Sequence, residues 1–438
     1  MTRISVIGCG YLGAVHAASM ARLGHDVIGI DLDAGKIASL AAGIAPFWEP
    51  GLSELLDESL ATGRLRFSTD IADAAGAQVH FIGVGTPQMA GSHAADLTYV
   101  NAAITGLLPY LAEGDLVVGK STVPVGTASR LADLITDSGS GASLVWNPEF
   151  LREGFAVQDT ISPDRLVYGV APGEAGERSV ALLNEVYASA IAADTPLVVT
   201  DYATAELVKV AANAFLATKI SFINAMAEIA EVTGADVTQL ADAIGFDARI
   251  GRRFLNAGVG FGGGCLPKDI RAFTARAEEL GRGESVAFLK EVDQINLRRR
   301  SHVVDLATAA LGERLHDGKV AVLGLSFKPH SDDVRDSPAL DVAVQLHGLG
   351  ADVVASDPKS VENAQAKHPQ LRYSGVIEET LQDADLVVLV TEWPEFVTID
   401  PVWAATLVKT PTIIDGRNAL DAAAWRAAGW TYTGMGRP

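Results

Sequence analysis

Cysteine and basic residues are both scarce in this chain. Cys9 and Cys265 are the only cysteines among 438 residues, which is too few for a disulfide framework and suits a reducing compartment. We therefore expect a cytoplasmic protein. Lys and Arg number 34 against 54 Asp and Glu, which gives a net charge of −20. Because this excess repels phosphate backbones and anionic lipids, we expect no nucleic-acid or membrane partner.

Long apolar runs are also missing. No stretch of about 18 residues is free of polar or glycine interruptions, so the sequence predicts no membrane span. An apolar stretch begins at residue 4, but glycines at positions 8, 10 and 13 interrupt it and no small-residue cleavage site follows. This pattern is typical of a first β-strand. With 48% hydrophobic and 20% charged residues, the chain is expected to be a multidomain globular protein.

The N-terminal segment has the pattern of a dinucleotide-binding βαβ unit. A strand at residues 4–7 is followed by Gly8, Gly10 and Gly13, a helical stretch and a second strand that ends at Asp31, 18 residues after the last glycine. Such glycines allow a pyrophosphate to approach a helix N-terminus, and the acidic residue binds ribose hydroxyls. A carboxylate here repels a 2′-phosphate, which favours NAD over NADP. The alternative is a strand-helix turn that binds nothing.

Further buried strands end in loops that carry polar residues. Residues 78–84 precede Gly85 and Thr86, and residues 116–119 precede a loop that contains Thr122. In a doubly wound sheet such loops lie at the ligand-binding edge. The alternative is that the threonines cap the helices that follow. Further along, at residues 147–154, two glutamates stand four apart, and either is a candidate base unless both are simply solvated.

A long helix is predicted from Tyr202 to about Val232, where the alanine-rich sequence contains no proline or glycine. Glu206, Lys209 and Asn213 are spaced three and four apart and so share one face of it. One interpretation is a solvent-facing polar stripe with an ion pair. The other is a Lys-Asn pair that points into a cleft, where the lysine charge can act on an oxygen.

Residues 258–269 carry the second cysteine. Five glycines occupy seven positions from 258 to 264, and Cys265, Lys268 and Asp269 follow. Glycines leave space for a ligand, and a nearby cation favours the thiolate. The sequence therefore makes Cys265 a candidate nucleophile, against the alternative of a flexible loop with an inert thiol.

The C-terminal part repeats the βαβ plan without the glycine fingerprint. Strands are predicted at 319–325, 351–357, 386–391 and 412–415, with a helix from about Pro338. Lys328, Arg335 and Arg417 fall near the carboxyl edge of this second sheet, where they could hold phosphates or stand as scattered surface cations. We predict an α/β fold in which two Rossmann-like, doubly wound parallel-sheet domains, 1–198 and 301–438, are joined by a long central helix and a helical middle domain, 199–300.

Taken together, these motifs resemble the UDP-glucose 6-dehydrogenases, within the UDP-glucose/GDP-mannose dehydrogenase family, over essentially the whole chain. The matching blocks are 8–13, 85–87, 121–127, 147–154, Lys209 with Asn213, 260–269, 327–329 and 415–417. The resemblance implies oxidation of a sugar C6 alcohol to a carboxylate with two NAD and one water. It also implies a thiohemiacetal and then a thioester on the cysteine. The residues that fall on the family's catalytic positions are Cys265, Lys209, Asn213, Asp269, Thr122, Glu149 and Glu153.

The same resemblance implies the binding residues and a homodimer or higher homo-oligomer, in which Arg249 reaches into the partner's site. No metal is expected. The cofactor positions are Gly8, Gly10, Tyr11, Leu12, Gly13, Asp31, Lys36, Gly85, Thr86, Thr122, Glu153 and Arg335. The substrate positions are Glu149, Phe150, Leu151, Lys209, Asn213, Arg249, Phe254, Asn256, Gly262, Phe327, Lys328 and Arg417.

Three alternatives stay open. GDP-mannose 6-dehydrogenase shares this chemistry, although residues 247–251 and 254–263 follow the UDP-glucose form. A catalytically silent nucleotide-sugar-binding protein and a one-step alcohol dehydrogenase that releases aldehyde would both tolerate loss of Cys265. The segment Leu266-Pro267-Lys268 argues against UDP-N-acetylhexosamine dehydrogenases. The chain departs from many relatives at Gly264, where they carry serine, and this is expected to loosen the loop slightly.

Overall fold

The computed structural model describes residues 1–438, which form two compact units. The first unit contains 1–212 and 275–281, and the second contains 213–274 and 282–438. Two helices, Tyr202–Thr233 and Leu266–Glu279, include residues of both units. The three-part division at residues 198 and 300 stays a prediction.

The first unit contains an eight-stranded sheet in the order β3-β2-β1-β4-β5-β6-β7-β8. All neighbouring strands are parallel except β6 and β7, which pair antiparallel. The strands are β1 Arg3–Ile7, β2 Asp26–Ile30, β3 Leu65–Ser68, β4 Val79–Ile82, β5 Leu116–Gly119, β6 Ser143–Trp146, β7 Leu166–Val170 and β8 Leu197–Thr200.

Helices cover both faces of this sheet. Residues alternate along each strand, so Ile4 and Val6 of β1 pack into one core while Ile7 packs into the other. Short 3₁₀ turns lie at Ile71–Ala74 and Leu108–Tyr110. The helices are α1 Tyr11–Arg22, α2 Ala34–Ala41, α3 Leu52–Ala61, α4 Thr98–Leu107, α5 Thr127–Asp137, α6 Ala156–Ile161, α7 Glu174–Val186, α8 Ala188–Ala192 and α9 Tyr202–Thr233.

The second unit contains a six-stranded parallel sheet in the order β11-β10-β9-β12-β13-β14. The strands are β9 Lys319–Leu323, β10 Asp352–Ser356, β11 Arg372–Tyr373, β12 Leu386–Leu389, β13 Thr412–Asp415 and β14 Thr431–Gly434. The helices are α10 Val237–Gly245, α11 Leu266–Glu279, α12 Phe288–Leu311, α13 Pro338–Gly348, α14 Val361–Lys367, α15 Ile377–Leu381, α16 Pro394–Val397, α17 Pro401–Ala405 and α18 Ala422–Ala427. Further 3₁₀ turns lie at Gly283–Val286 and Gly312–Leu315.

The long helix α9 has the composition of a membrane-spanning helix. Its most apolar 18-residue window has a mean hydropathy of 1.3, and 44% of that window is buried inside the protein. By length and composition alone it could cross a membrane, but the core helix of a soluble protein passes the same test. The expectation of no membrane partner therefore stays a prediction.

The predicted architecture is confirmed. Both parallel sheets and the helical middle are present, and α9 spans Tyr202–Thr233 as expected. Every strand named from the sequence exists, with ends that move by no more than two residues. The antiparallel pairing of β6 with β7 was not foreseen, because strand direction is not encoded in a short apolar run.

Candidate functional site

The glycine-rich turn after β1 makes a close strand-helix contact and leaves an open cradle. A Cβ on Gly13 would lie 1.8 Å from the Gly8 carbonyl oxygen, so only glycine fits there. At Gly10, which precedes α1, a Cβ would meet nothing within 4 Å. The first amides of a helix lack intrahelical partners. The open space at Gly10 therefore fits the pyrophosphate of a dinucleotide, held on those amides.

Asp31 stands at the end of β2, beside this turn. Its carboxylate accepts hydrogen bonds from the Cys9 amide at 2.8 Å, the Asp33 amide at 3.0 Å and Lys36 Nζ at 2.8 Å. Burial acts to raise the pKa of Asp31, but these hydrogen bonds and the Lys36 charge lower it below its usual value. The side chain is thus held as a carboxylate, the form that accepts ribose hydroxyls.

Tyr11 begins α1, and its hydroxyl forms hydrogen bonds with other residues of the same unit. The hydroxyl donates to Glu49 and accepts from the Gly154 amide at 3.1 Å. Burial and the Glu49 carboxylate raise its pKa well above the usual value, so it stays neutral. Glu49 also accepts from the amides of Gly154 and Ala156. Leu12 follows in the helix and lines a cavity next to Glu149, whereas Glu153 is buried.

Thr86 and Thr122 belong to neighbouring strand-end loops. Thr86 Oγ1 donates to the Thr122 carbonyl at 2.8 Å, and this bond joins the two loops. Neither threonine caps a helix, since α4 begins after Leu97 and α5 begins after Gly126. The capping interpretation is therefore wrong. A Cβ on Gly85 would meet nothing within 4 Å, which leaves open space beside the loop.

Lys209 forms a buried ion pair. Its Nζ lies 3.2 Å from Glu149 Oε1 and 5.5 Å from the centre of the Phe150 ring. The other Glu149 oxygen accepts from the Leu151 amide at 2.7 Å, which fixes the carboxylate. Glu149 and Phe150 thus face one lysine through charge and ring, and the Leu151 amide holds the carboxylate in place.

Glu206 lies one turn before Lys209 and has a separate partner. Its two carboxylate oxygens accept from the amides of Gly126 at 2.7 Å and Ala128 at 2.6 Å, at the N-terminus of α5. Burial raises its pKa despite these bonds. Glu206, Lys209 and Asn213 are all buried, so the solvent-facing stripe predicted as one alternative is wrong.

In the second unit, Cys265 directly precedes α11, and its carbonyl accepts from the Asp269 amide at 2.9 Å. Its side chain is exposed and forms no disulfide. A helix N-terminus stabilises a thiolate, which suits a nucleophile. Cys9 differs, because burial and the Asp31 charge raise its pKa to about 12.

Asp269 lies one turn into α11 and is held from two sides. Its Oδ2 accepts from Asn213 Nδ2 at 2.7 Å, and its Oδ1 pairs with Lys268 Nζ at 2.7 Å. The carboxylate and the Asn213 amide are both buried. The structure therefore brings three candidate residues, Asn213, Cys265 and Asp269, to one end of α11.

The glycines before Cys265 pack against protein atoms. A Cβ would lie 2.2 Å from the Asp336 carbonyl at Gly262 and 2.6 Å from the Arg335 guanidinium carbon at Gly264. At Gly263 it would lie 2.8 Å from the Phe327 ring. The expectation that these glycines make room for a ligand is wrong at all three positions, because the loop after β9 already fills that space.

The predicted phosphate-binding cations have different surroundings. Arg335 pairs with Asp333 at 2.7 Å. Lys328 Nζ lies 5.4 Å from the centre of the Phe327 ring. Arg417 donates to three backbone carbonyls, those of Val390, Gly260 and Phe327, at 2.8, 2.8 and 3.1 Å. Its guanidinium thus ties the cysteine loop to the second sheet.

Residues 247–256 carry three further predicted substrate contacts. The Arg249 side chain is 89% exposed and pairs with Asp247 at 2.6 Å. Phe254 is exposed with φ at +65°, and Asn256 accepts from Arg252 at 2.7 Å. The structure therefore leaves Arg249 and Phe254 on the surface of the second unit.

Lys120, Glu49 and Asn296 were not predicted as functional residues from the sequence. Lys120 directly follows the apolar strand β5 and is buried. Because lysine is rarely buried, a lysine at the end of such a strand could have been recognised as a candidate functional residue. Asn296 exchanges hydrogen bonds with the backbone of Phe261 and so supports the cysteine loop. No group of three or more His, Cys, Asp or Glu side chains is arranged to hold a metal ion.

Comparison with known proteins gives a match to three models of one family, described as the UDP-glucose/GDP-mannose dehydrogenase family. Its NAD binding domain matches residues 2–191, its central domain 203–298 and its UDP binding domain 321–422. NAD is accordingly the cofactor, in agreement with the sequence prediction.

Individual relatives are similar over their whole length. UDP-glucose 6-dehydrogenase TuaD of Bacillus subtilis is 41% identical over 443 residues, covering 100% of this chain and 94% of the relative. UDP-glucose 6-dehydrogenase of Rhizobium meliloti is also 41% identical, with 100% of both chains covered. A solved structure of a UDP-glucose dehydrogenase from Pyrobaculum islandicum superimposes with a TM-score of 0.90 at 38% identity, covering 100% of this chain and 98% of that one.

Proposed function

We propose, from the premise that this chain belongs to the UDP-glucose/GDP-mannose dehydrogenase family, that it oxidises UDP-glucose to UDP-glucuronate with two NAD and one water. The observation that carries this proposal is the exposed Cys265 side chain at the start of α11, one turn from the buried Asp269 and Asn213 pair. A reaction that stopped at the aldehyde would have no use for a nucleophile there.

Covalent capture accounts for the need for a thiol. When bound, NAD accepts a hydride from the sugar C6 carbon, and two molecules are used in each turnover. The Cys265 thiolate adds to the aldehyde carbon to form a thiohemiacetal, and loss of the second hydride leaves a thioester. Water then adds to the thioester carbonyl. The carbon-sulfur bond breaks with the Cys265 thiolate as the leaving group, and the sugar carboxylate is released as the product.

The charged and amide groups have complementary roles. Lys209 and Asn213, one turn apart on α9, stabilise the oxyanion that forms when sulfur or oxygen adds to the carbonyl. Asp269, together with a water molecule that Thr122 holds, accepts the proton that the alcohol or the attacking water gives up. Glu153 assists hydrolysis of the thioester. Glu149, fixed by the Leu151 amide, holds Lys209 until substrate arrives.

The remaining predicted contacts divide between cofactor and sugar nucleotide. Asp31 and the open space at Gly10 hold NAD in the first unit, and Arg335 keeps its predicted role as a cofactor contact. Lys328 and Arg249 bind the diphosphate or uridine. Arg417 supports the substrate site by donating a hydrogen bond to the carbonyl of Gly260. UDP is favoured over GDP because residues 321–422 match the UDP binding domain and the relatives at 41% identity are UDP-glucose 6-dehydrogenases.

The test measures stoichiometry and its dependence on one sulfur atom. Purified protein is expected to reduce two NAD for each UDP-glucose consumed, with UDP-glucuronate as the product. Cys265→Ser should prevent the oxidation from reaching UDP-glucuronate. Turnover should fall by about three orders of magnitude or more, because a serine hydroxyl is a far weaker nucleophile at neutral pH.

Cys9→Ser is the matched control, since it changes the other cysteine, whose thiol is kept protonated by burial, which raises its pKa to about 12. One NADH for each sugar with free aldehyde would contradict the mechanism. Full activity with GDP-mannose and none with UDP-glucose would change the assigned substrate to GDP-mannose. Inactivity with a panel of nucleotide-sugars would favour a nucleotide-sugar-binding protein.

We further propose a homodimer formed through α9, in the cytoplasm. Leu207, Phe215, Phe222, Ile229 and Val232 are exposed along this helix, and three of them repeat at seven-residue intervals. Such a stripe on one helix matches a helix-helix contact with a second copy. A reducing compartment suits the proposed chemistry because Cys265 must stay reduced to act as a nucleophile.

A further inference from the structure

Lys120 carries a buried charge that the proposed chemistry does not use. It follows β5, is only 7% exposed, and donates to Asn147 Oδ1 at 3.0 Å and Tyr187 Oη at 3.2 Å. Both hydrogen-bond partners are neutral. The ammonium also faces the rings of Phe81 and Tyr187, at 6.0 and 5.7 Å from their centres. These contacts fix the position of the charge without neutralising it.

The partners of Lys120 are themselves held in place. Asn147 donates through Nδ2 to the Val167 carbonyl at 2.9 Å, so its oxygen must point at the lysine. Tyr187 donates its hydroxyl proton to the same oxygen at 2.9 Å. Burial raises the pKa of Tyr187 well above its usual value, so it cannot supply a negative charge.

Lys120 and Glu149 line the same cavity, of about 50 Å³. The other charged or titratable side chains that line it are His16, Asp159, Asp164, Arg165 and Tyr187. Asp159 is occupied by Arg152, and Arg165 stacks on Phe150 at 3.7 Å. Beyond Glu149 lies its ion-pair partner Lys209, so Glu149 has a buried lysine on each side of it.

We propose that Lys120 is a positioning residue whose fixed charge acts on the ion pair of Glu149 and Lys209, which act on substrate in the proposed function. A fixed cation attracts a neighbouring carboxylate and repels a second ammonium. Lys120 therefore holds the Glu149 carboxylate at the cavity and competes with Lys209 for it, which leaves more of the Lys209 charge for an oxyanion.

The protonation of Lys120 is sensitive to the same neighbours. Burial lowers the pKa of Lys120 to about 8, with Glu149 opposing this change and Lys209 adding to it. Around neutral pH the ammonium is thus mostly charged, and it loses its proton within the range in which the enzyme can be assayed.

The first test is the pH profile of kcat for Lys120→Met. Because the Lys120 ammonium loses its proton near pH 8, the wild-type profile should change slope there, and Lys120→Met should lack that change. A purely structural defect would lower kcat equally at every pH. Lys120→Arg, which stays charged at every assay pH, should also lack the change of slope, and Tyr187→Phe, which removes a hydrogen bond but no charge, should keep it. A change of slope near pH 8 that persists in an active Lys120→Met enzyme would overturn this inference and leave the proposed function standing.

A second test needs no catalysis, so it decides the inference even if the wild type turns over no nucleotide-sugar. A lysine whose folded-state pKa lies below its unfolded value of 10.5 destabilises the fold fully below about pH 8, and the penalty fades as pH rises to 10.5. The Tm advantage of Lys120→Met over wild type should therefore shrink across that window. In a Glu149→Gln background, where Lys120 has lost its favourable neighbour, the shrinkage should begin at lower pH. A constant Tm difference, or the same window in both backgrounds, would refute the coupling.

Discussion

At the scale of single residues, the two cysteines show how position determines reactivity. Cys9 lies in the turn after β1, where burial raises its pKa to about 12 and makes the thiol inert. Cys265 is exposed at the start of a 14-residue helix. Cysteine is thus a buried core residue in the first unit and a candidate nucleophile in the second.

Two adjacent glycines in the cysteine loop should respond differently to one added methyl group. Gly263→Ala puts a Cβ 2.8 Å from the Phe327 ring at a φ of +85°, so it should lower the free energy of unfolding by about 1–3 kcal/mol. At Gly264 the nearest atoms are the flexible end of Arg335, which can move, so Gly264→Ala should cost less than about 1 kcal/mol.

Urea unfolding of the two variants measures this difference directly. Equal losses would mean that the loop is held less firmly against Phe327 than the structure shows. A small stability change with a higher KM for NAD in Gly264→Ala would indicate that Arg335 has been displaced. It would also connect the departure from the serine found in many relatives to a defined neighbour.

At the scale of elements, α9 carries two kinds of surface. Its buried face holds Glu206, Lys209 and Asn213, each with a polar partner. Its exposed face has large apolar side chains at positions 215, 222 and 229. Helical periodicity therefore places candidate catalytic groups and a candidate subunit contact on one helix.

The exposed face gives a prediction about assembly. Phe222→Glu, alone or with Ile229→Glu, should convert a dimer to a monomer in light scattering, because a carboxylate in the centre of an apolar contact is left desolvated and unpaired. Phe246→Glu is the matched control, since that side chain is 89% exposed and lies outside α9.

An unchanged mass for both α9 variants would contradict the proposed dimer contact. Sedimentation with lipid vesicles distinguishes another use of the same apolar face. Binding of the wild type to vesicles, lost in Phe222→Glu, would assign α9 to a membrane surface.

At the scale of the whole molecule, each unit has its own sheet, parallel except at β6 and β7 of the first, and its own core. The first sheet ends at the Gly10 cradle and Asp31, whereas the second ends at Asp357, which is buried. The Asp357 carboxylate accepts from the amides of Leu325 and Ser326 and from Trp393. Only the first unit therefore leaves this position open to a dinucleotide.

Cofactor preference should follow from the Asp31 carboxylate. NAD at about 100 times its Kd should stabilise the wild type by about 2.7 kcal/mol, visible as a higher Tm. Asp31→Asn removes the charge that repels a 2′-phosphate and releases Lys36 from its 2.8 Å ion pair. It should lower NAD affinity by about tenfold and raise NADP affinity.

Asp26→Asn provides the control for this prediction, because Asp26 begins the strand that Asp31 follows and pairs with Arg3 instead. Its Tm should rise with NAD as in the wild type. Retention of full NAD selectivity in Asp31→Asn would mean that some other group excludes the 2′-phosphate.

Much of this organisation follows from the sequence itself. Apolar periodicity predicted the two sheets and α9, since a period of 2 or 3.6 reflects local backbone geometry. The glycines after β1 and Asp31 predicted a dinucleotide site, because the spacing along one βαβ unit fixes their distance in space. The match of motifs in order along the chain also predicted the family, which the comparisons confirm.

Only the tertiary structure decided which residues meet across the fold. Spacing could not distinguish a solvated stripe from a buried one, whereas the fold buries Lys209 against Glu149 and Asn213 against Asp269, partners 60 and 56 residues away in the chain. The glycines before Cys265 looked like space for a ligand, yet the loop after β9 occupies that space. Lys120 went unnoticed because burial and charge coupling depend on the surroundings of a side chain, and a local pattern does not record those surroundings.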